Sequence, residues 1–271
     1  MTLRERLRLL YPGTSGRRLK QWLAGGRVRV NGVVVRRGDV RLGPDDRVEL
    51  GRPAIPFPAP LRLVHQDEHL VVVDKPAGLL TIATHTERER TAYRLLRDWV
   101  EAQGDGRIFV VHRLDRETSG LVAFARSPAV KRALQAQFEA RTPERAYVAR
   151  VEGAVRQPEG ELRSRLVEDR GLRVRSVRGA RGDREAISRY RVLERYREAT
   201  LLEIRLVTGR RGQIRAQLAA LGHPIVGDRA HGSRRDPLGR VCLHATRLGF
   251  VHPSGRRVVF NSAAPPGFRR A

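Results

Sequence analysis

The sequence predicts an α+β fold: a mainly antiparallel mixed sheet over residues 61–271, preceded by a small basic α+β module over residues 1–51 and a proline-rich linker over 52–60. Three observations predict it. Beyond residue 60, strand-like segments outnumber helical ones without strict alternation, which argues against a doubly wound parallel sheet. Pro53, Pro56, Pro58 and Pro60 crowd one short stretch, which reads as an extended, semi-rigid spacer. Residues 1–50 hold a complete set of helix, turn and strand signals of their own.

In that first part, Leu3, Leu7 and Leu10 recur at helical spacing and predict a helix over Leu3–Leu10. A second helix follows Ser15, a good N-cap, with Leu19, Trp22 and Leu23 on one face until Gly25-Gly26 stops it. Val28 and Val30 alternate with Arg27 and Arg29, and Asn31-Gly32 before Val33-Val34-Val35 is a strong hairpin signal. Val40, Leu42, Val48 and Leu50 add strand. The larger part predicts strands at Leu61–Val64, Leu70–Val73, Leu121–Ala125, Tyr147–Val151, Ile187–Val192, Ala199–Val207, Leu243–Phe250 and Val258–Phe260. Helices are predicted at Thr91–Ala102, Ala129–Phe138 and Gln213–Leu221, the last with Ile214, Leu218 and Leu221 as its buried stripe and Gly222 as its stop. Eight arginines within Arg163–Arg184 predict an exposed hairpin or loop, serving either as a solvated face or as a contact to a nucleic-acid backbone.

Composition narrows the function. Lys+Arg total 54 against 29 acids, a net charge of +25, which favours a polyanionic partner, nucleic acid first. Lys occurs only at Lys20, Lys75 and Lys131, so genomic bias explains Arg in place of Lys, but not the excess over acids. Cys242 is the single cysteine, which excludes an intrachain disulfide. No apolar run has membrane-spanning length, and Met1–Arg6 lacks the apolar stretch of a secretory signal, so a cytoplasmic protein without membrane contact is expected. His65-Gln66-Asp67-Glu68-His69 matches a zinc-protease pattern in letters only. That chemistry needs a helix, and the pentapeptide here joins two predicted strands, so no metal is expected.

The most informative segment is His112-Arg113-Leu114-Asp115-Arg116-Glu117-Thr118-Ser119-Gly120, which leads into the buried strand Leu121–Ala125. Thr-Ser-Gly is turn chemistry, and Asp115 is flanked by cations that favour its ionised form. A positioned carboxylate can act as nucleophile or base, or it can simply bond its own turn. The segment resembles the signature of the RluA-type pseudouridine synthases, with every specified position present. The resemblance continues in order through Val71–Gly78, Arg145–Gly153, Thr208-Gly209-Arg210 with Gln213-Ile214-Arg215, Gly222–Asp228 and Leu243-His244-Ala245, covering roughly residues 61–271. Leu19–Gly32, in a module with twelve Lys/Arg against five acids, resembles the RNA-binding module first described in a small-subunit ribosomal protein. Arg17, Arg18, Lys20, Arg27, Arg29 and Asn31 are its candidate RNA contacts.

The resemblance implies an isomerase that detaches uracil from ribose through nitrogen 1 and rejoins it through carbon 5. No atoms are gained or lost, so no cofactor is expected. It implies Asp115 as the catalytic carboxylate, Arg215 as the guanidinium that orients it and Tyr147 as the ring that packs on the base. A uridine in structured RNA must be flipped out to enter such a site. Arg113 is expected to fill the vacated space, with His112, Thr118, Gly209, Arg210, Gln213 and Ile214 lining the substrate site. From the residues alone, Arg113 could equally hold a phosphate, Tyr147 could be an ordinary strand residue and Arg215 an exposed helix residue. The chain departs from the family pattern at Gly212 and Gln217, where His is usual, and at His231, where Tyr is usual. RNA is the expected partner, ribosomal large-subunit RNA ahead of transfer RNA, and a monomer is expected. The rival reading is an RNA-binding protein that keeps this fold without turnover.

Overall fold

The computed structural model describes residues 1–51, 55–85, 87–103, 106–168, 174–177 and 185–269. Contacts along the chain divide it into two units, Met1–Pro56 with Trp99–Asp105, and Phe57–Asp98 with Gly106–Ala271. Residues 52–54 of the expected linker lie outside the described residues.

In the first unit, helix α1 (Leu3–Leu10) is closed at its start by a capping box, Thr2 accepting from the Glu5 backbone while Glu5 accepts from that of Thr2. Helix α2 (Gly16–Ala24) is capped by Ser15, as its sequence predicts. Strands β1 (Val28–Val30), β2 (Val33–Val34) and β3 (Val48–Leu50) form a sheet in the order β2-β1-β3. The β1–β2 turn places Asn31 at φ 52° and Gly32 at φ 79°, left-handed at both positions, which is why Asn-Gly stands there. Leu3, Leu7, Leu19, Trp22, Leu23 and Val28 make its core. Val40 and Leu42 belong to no strand; beside them, Arg41 makes an isolated bridge to Thr2.

The second unit is built on one sheet. Its elements are β4 (Arg62–Gln66), β5 (Leu70–Lys75), α3 (Ala92–Gln103, whose end groups with the first unit), β6 (Phe109–Val110), β7 (Ser119–Ala125), α4 (Pro128–Glu139), β8 (Glu144–Glu152) and β9 (Glu159–Glu168). There follow β10 (Val174–Val177), β11 (Glu185–Arg195), β12 (Ala199–Leu206), α5 (Gln213–Ala220), β13 (Leu243–Val251) and β14 (Arg257–Asn261). The sheet has eleven strands in the order β10-β9-β11-β12-β8-β13-β7-β5-β4, with β14 on β13 and β6 on β7. Every pairing is antiparallel except β13 with β7, where His244 faces Ser119 and Ala245 faces Gly120. The predicted α+β class holds, and each strand and helix predicted beyond residue 60 is present with ends shifted by a few residues.

Two apolar clusters flank this seam. Ala149, Val151, Leu202, Ile204, Ile214 and Leu218 pack β8, β12 and α5 together. Leu70, Val72, Leu121, Ala123, Val130, Leu134 and Phe250 pack β5, β7, α4 and β13. The arginine-rich stretch is a strand pair at the sheet edge, β9 with β10, and residues 169–173 and 178–184 lie outside the described residues. Arg163 donates to Glu161 and Glu185 across neighbouring positions, so this arginine belongs to a solvated, ion-paired face. His65–His69 is the β4–β5 connection, and the Asp67 carboxylate bonds His65, His252 and two backbone N–H groups.

Candidate active site

The loop that carries Asp115 runs from β6 into β7 and is clasped along its length. The Thr81 hydroxyl donates to Leu114 O (2.9 Å) and accepts from Leu114 N (3.1 Å). Gly78 N donates to Arg116 O at 2.8 Å, and Arg116 Nε returns to Gly78 O at 3.2 Å. Lys75 is fully buried, and its Nζ donates to the carbonyls of Pro76, Leu79 and Arg116. Burial pushes this ammonium down to about 8, against the pull of the Asp115 and Glu117 charges. Thr118 N closes the turn onto Asp115 O. At the loop's far end, Gly120 sits at φ 113° against β13, where a Cβ would run into the Ala245 carbonyl, so only glycine allows this close approach.

This loop forms one wall of a cavity of about 540 Å³, within the usual range of small-molecule sites, roughly 300–1,000 Å³. Asp115 is half-buried there, and among the described residues none donates a hydrogen bond to its side chain. His112, Arg113, Thr118, Tyr147, Gly209, Arg210, Gln213, Ile214 and Arg215 line the same cavity, so the structure brings together all the catalytic and substrate-site residues read from the sequence. Arg113, Arg141, Arg145, Arg210, Arg211 and Arg215 stand on its wall against two acids, Asp115 and Glu139, which makes it a site for negative charge.

The individual groups are tuned by burial. The His112 ring stacks on Phe138 with centroids 4.6 Å apart, and its Nε2 accepts from Ala123 N at 3.0 Å. Burial, reinforced by the Arg145 charge, pushes this imidazole down to about 3, so the ring is neutral. Burial pushes the Tyr147 phenol up to about 12, Asp115 adding to it and Arg145 opposing, so the hydroxyl keeps its proton.

Arg215 corrects the sequence reading. Its fork closes on Asp228 rather than Asp115, with Nε to Oδ2 and Nη2 to Oδ1 both at 2.7 Å. Burial works against the Arg215 charge, but Asp228, and Asp115 behind it, outweigh burial and raise its pKa. Burial likewise penalises the Asp228 carboxylate, yet Arg215 and His231 hold it down at about 2. His231 lies between Asp228 Oδ1 and the Val174 carbonyl, each at 3.1 Å, so this departure from the family pattern completes a buried network. Gln217, a second departure, bonds Ser188 Oγ, Ser164 Oγ and the carbonyls of Leu162 and Ala186, and pins α5 to β9 and β11. Gly212, the third, starts α5 in the left-handed region at φ 61°.

Gln213 is also structural in its bonding. Its Oε1 accepts from Thr208 Oγ1 and Arg210 N, and its Nε2 donates to Ile187 O and Ser188 Oγ, which leaves no free donor hydrogen on its amide for a ligand. Ile214 belongs to the core as well as the cavity wall. The residues not singled out from sequence are Asp228, Lys75, Thr81, Phe138 and Arg145. Arg145 had a legible signal, since i and i+2 on a strand share a face and Arg145 precedes Tyr147 by two.

In the first unit, Arg17, Arg18, Lys20 and Arg29 are exposed. Arg27 is half-buried, donates to Gly51 O and lies 5.4 Å over Trp22. The Asn31 side chain is spent on Asp46 and the Arg47 N–H, which holds its turn. Among the described residues no cluster of three His, Cys, Asp or Glu could hold a metal ion, and no helix is long and apolar enough to cross a membrane.

A family model described as RNA pseudouridylate synthase matches residues 69–220. A ribosomal large subunit pseudouridine synthase D from Xylella fastidiosa is 37% identical over 280 residues, covering 90% of this chain and 79% of that protein. A dual-specificity RNA pseudouridine synthase RluA from Pasteurella multocida is 35% identical, covering 77% of this chain and 94% of that protein. The solved structure of human RNA pseudouridylate synthase domain containing 4 has the same fold, with a TM-score of 0.63 at 22% identity over 76% of this chain and 89% of that one.

Proposed function

The chain belongs to the RNA pseudouridylate synthase family, isomerases that convert uridine to pseudouridine in RNA, and on that premise we propose that Asp115 is the carboxylate that performs the reaction here. One observation carries this reading. Asp115 is held by a loop clasped on both sides, yet its carboxylate oxygens bond to none of the described residues and face a cationic cavity. Its lone pairs are thus free for a substrate, in contrast to those of Asp228.

The chemistry divides among the wall residues. The electron pair of the bond from nitrogen 1 to ribose leaves with the base, and the Asp115 carboxylate meets the electron-poor sugar carbon. The base turns, carbon 5 joins the sugar, the carboxylate is released, the carbon 5 proton departs and nitrogen 1 gains one. Tyr147 offers a flat ring and a hydroxyl that remains protonated, suited to pack on a detached uracil. Arg215 acts through Asp228, fixing the floor of the site and supplying a positive field that Asp115 feels. Arg113 is exposed at the cavity and fills the place of the flipped uridine. The exposed Arg17, Arg18, Lys20 and Arg29 of the first unit hold RNA phosphates, with Arg27 and Asn31 shaping that surface. The substrate is ribosomal large-subunit RNA, by analogy with the relatives that bear that name.

The test is tritium release from such RNA labelled at uracil carbon 5, with wild type and Asp115→Ala. Release by wild type alone, with RNA affinity kept in the variant, is expected. Equal release by both proteins would remove Asp115 from the reaction.

A further inference from the structure

Arg145 is placed unlike any other cation on the cavity wall. It stands two residues before Tyr147 on β8, and its guanidinium lies 5.7 Å over the Phe138 ring. Its Nε and Nη2 are buried, and among the described residues neither has a hydrogen-bond partner. Gly209 leaves room for it, since a Cβ there would collide with Arg145 Nη1. Arg215 is neutralised by Asp228, Arg211 is bonded to Glu168, and Arg113 is open to solvent. The groups around Arg145 include no counter-charge: a neutral imidazole at His112, a protonated phenol at Tyr147, a phenyl ring at Phe138 and, farther out, the like charge of the exposed Arg141.

A half-buried guanidinium with two buried nitrogens left unbonded and no counter-charge is costly, and such local costs are found at sites of function. Two anions are available in the reaction assigned to this cavity, and they differ in timing. Phosphates are charged throughout and strongly hydrated, and the exposed Arg113 and Arg141 are the wall cations open to them. The uracil ring is neutral in RNA and turns negative only when the glycosidic electron pair leaves with it, the charge spreading over nitrogen 1 and the two ring oxygens. A cation whose nitrogens are partly withdrawn from solvent and whose nearest side chains are uncharged rings stabilises charge that develops beside it better than one in open solvent.

Resting on the reading that this cavity isomerises uridine, we infer that Arg145 is a catalytic residue that binds a ring oxygen of uracil and stabilises the detached base as its anion. Asp115 and Arg145 then serve opposite halves of one bond cleavage, the carboxylate facing the sugar carbon and the guanidinium facing the base.

The test compares two leaving bases under single turnover, in large-subunit ribosomal RNA transcribed with 5-tritiated uridine or with 5-fluorouridine. The second is followed by loss of the nitrogen-linked fluorinated nucleoside after digestion. Arg145→Met is expected to slow the uridine reaction by about 10²–10³-fold, with RNA affinity changed by about twofold or less. Arg145→Lys is expected to recover about tenfold or more. On 5-fluorouridine, whose base is the more stable anion, the loss is expected to be about tenfold smaller. Equal losses on the two bases, or a loss of affinity that tracks the loss of rate, would overturn the inference and make Arg145 a structural or phosphate-binding residue. If Arg145→Met fails to fold, the Arg145→Lys comparison on the two bases decides by the same criterion. Full activity of Arg145→Met beside an active wild type overturns this inference alone, whereas an inert wild type overturns the reading beneath it.

Discussion

Asp115 and Asp228 both lie within the field of Arg215, and the protein treats them in opposite ways. Asp228 is 1% exposed and bound by a guanidinium fork and His231, whereas Asp115 bonds to no described side chain. Their amide variants should therefore diverge. Asp228→Asn leaves a buried cation uncompensated and should lose about 3–5 kcal/mol in urea denaturation. Asp115→Asn should abolish turnover while stability holds or rises by up to about 1 kcal/mol, since a site group without partners contributes little to folding. Asp228 also sets an acid limit. Its folded pKa, about 2, lies below the ordinary 3.8, so its stabilisation is complete above the unfolded value and is lost as pH falls through about 2. Wild type and Asp228→Asn should converge in urea midpoint as pH drops across that window. The partner of Arg215 could not be read from sequence, because Asp115 and Asp228 are both acids in matching motifs and the choice depends on where α5 ends in space. The cavity membership of Asp115, Tyr147 and Arg215 could be read, because order and spacing within motifs survive folding.

Helix α5 is the element on which the site turns. It starts at a left-handed Gly212, and two glutamines on it, Gln213 and Gln217, tie it to β11, with Gln217 reaching β9 as well. Gln217→Leu takes the acceptor from the buried Ser188 O–H, which keeps its bond from Gln213, and one donor each from the Ser164 hydroxyl and the Leu162 and Ala186 carbonyls. A buried donor left without an acceptor costs about 1–3 kcal/mol, so a loss of at least that size in urea midpoint analysis is expected. Gly120→Ala should be at least as damaging, because the added methyl must displace β13 backbone at the parallel seam. The long strands were legible from their apolar runs. Strand β9 was not, since Leu162, Ser164 and Leu166 form its inward stripe and the serine interrupts the apolar signal between exposed arginines. That serine is inward because the Gln217 amide waits for it, a partnership invisible at the level of local sequence.

For the molecule as a whole, the +25 charge is spread over both units, and in the proposed function the exposed cations of the first unit hold RNA phosphates. Replacing Arg17, Arg18 and Lys20 together with serine should weaken RNA binding and flatten its log-log salt dependence by about 2 units, since each phosphate contact contributes about 0.7–0.9. A salt slope equal to wild type would take these residues out of the interface. Charge of this sign was plain in the sequence, whereas its division between ion-paired faces such as Arg163 with Glu185 and uncommitted cations needed the fold. The strand order has a consequence for biosynthesis. Asp115 precedes β7 and Tyr147 lies on β8, and those two strands are joined through β13, which begins nearly a hundred residues after Tyr147, at Leu243, and is laid between them. A ribosome delivers the chain from its N-terminus, so Asp115 and Tyr147 emerge well before the strand that joins theirs in the sheet. If Asp115 and Tyr147 act as proposed, turnover is expected only once residues 243–251 have left the exit tunnel and β13 has docked between β7 and β8.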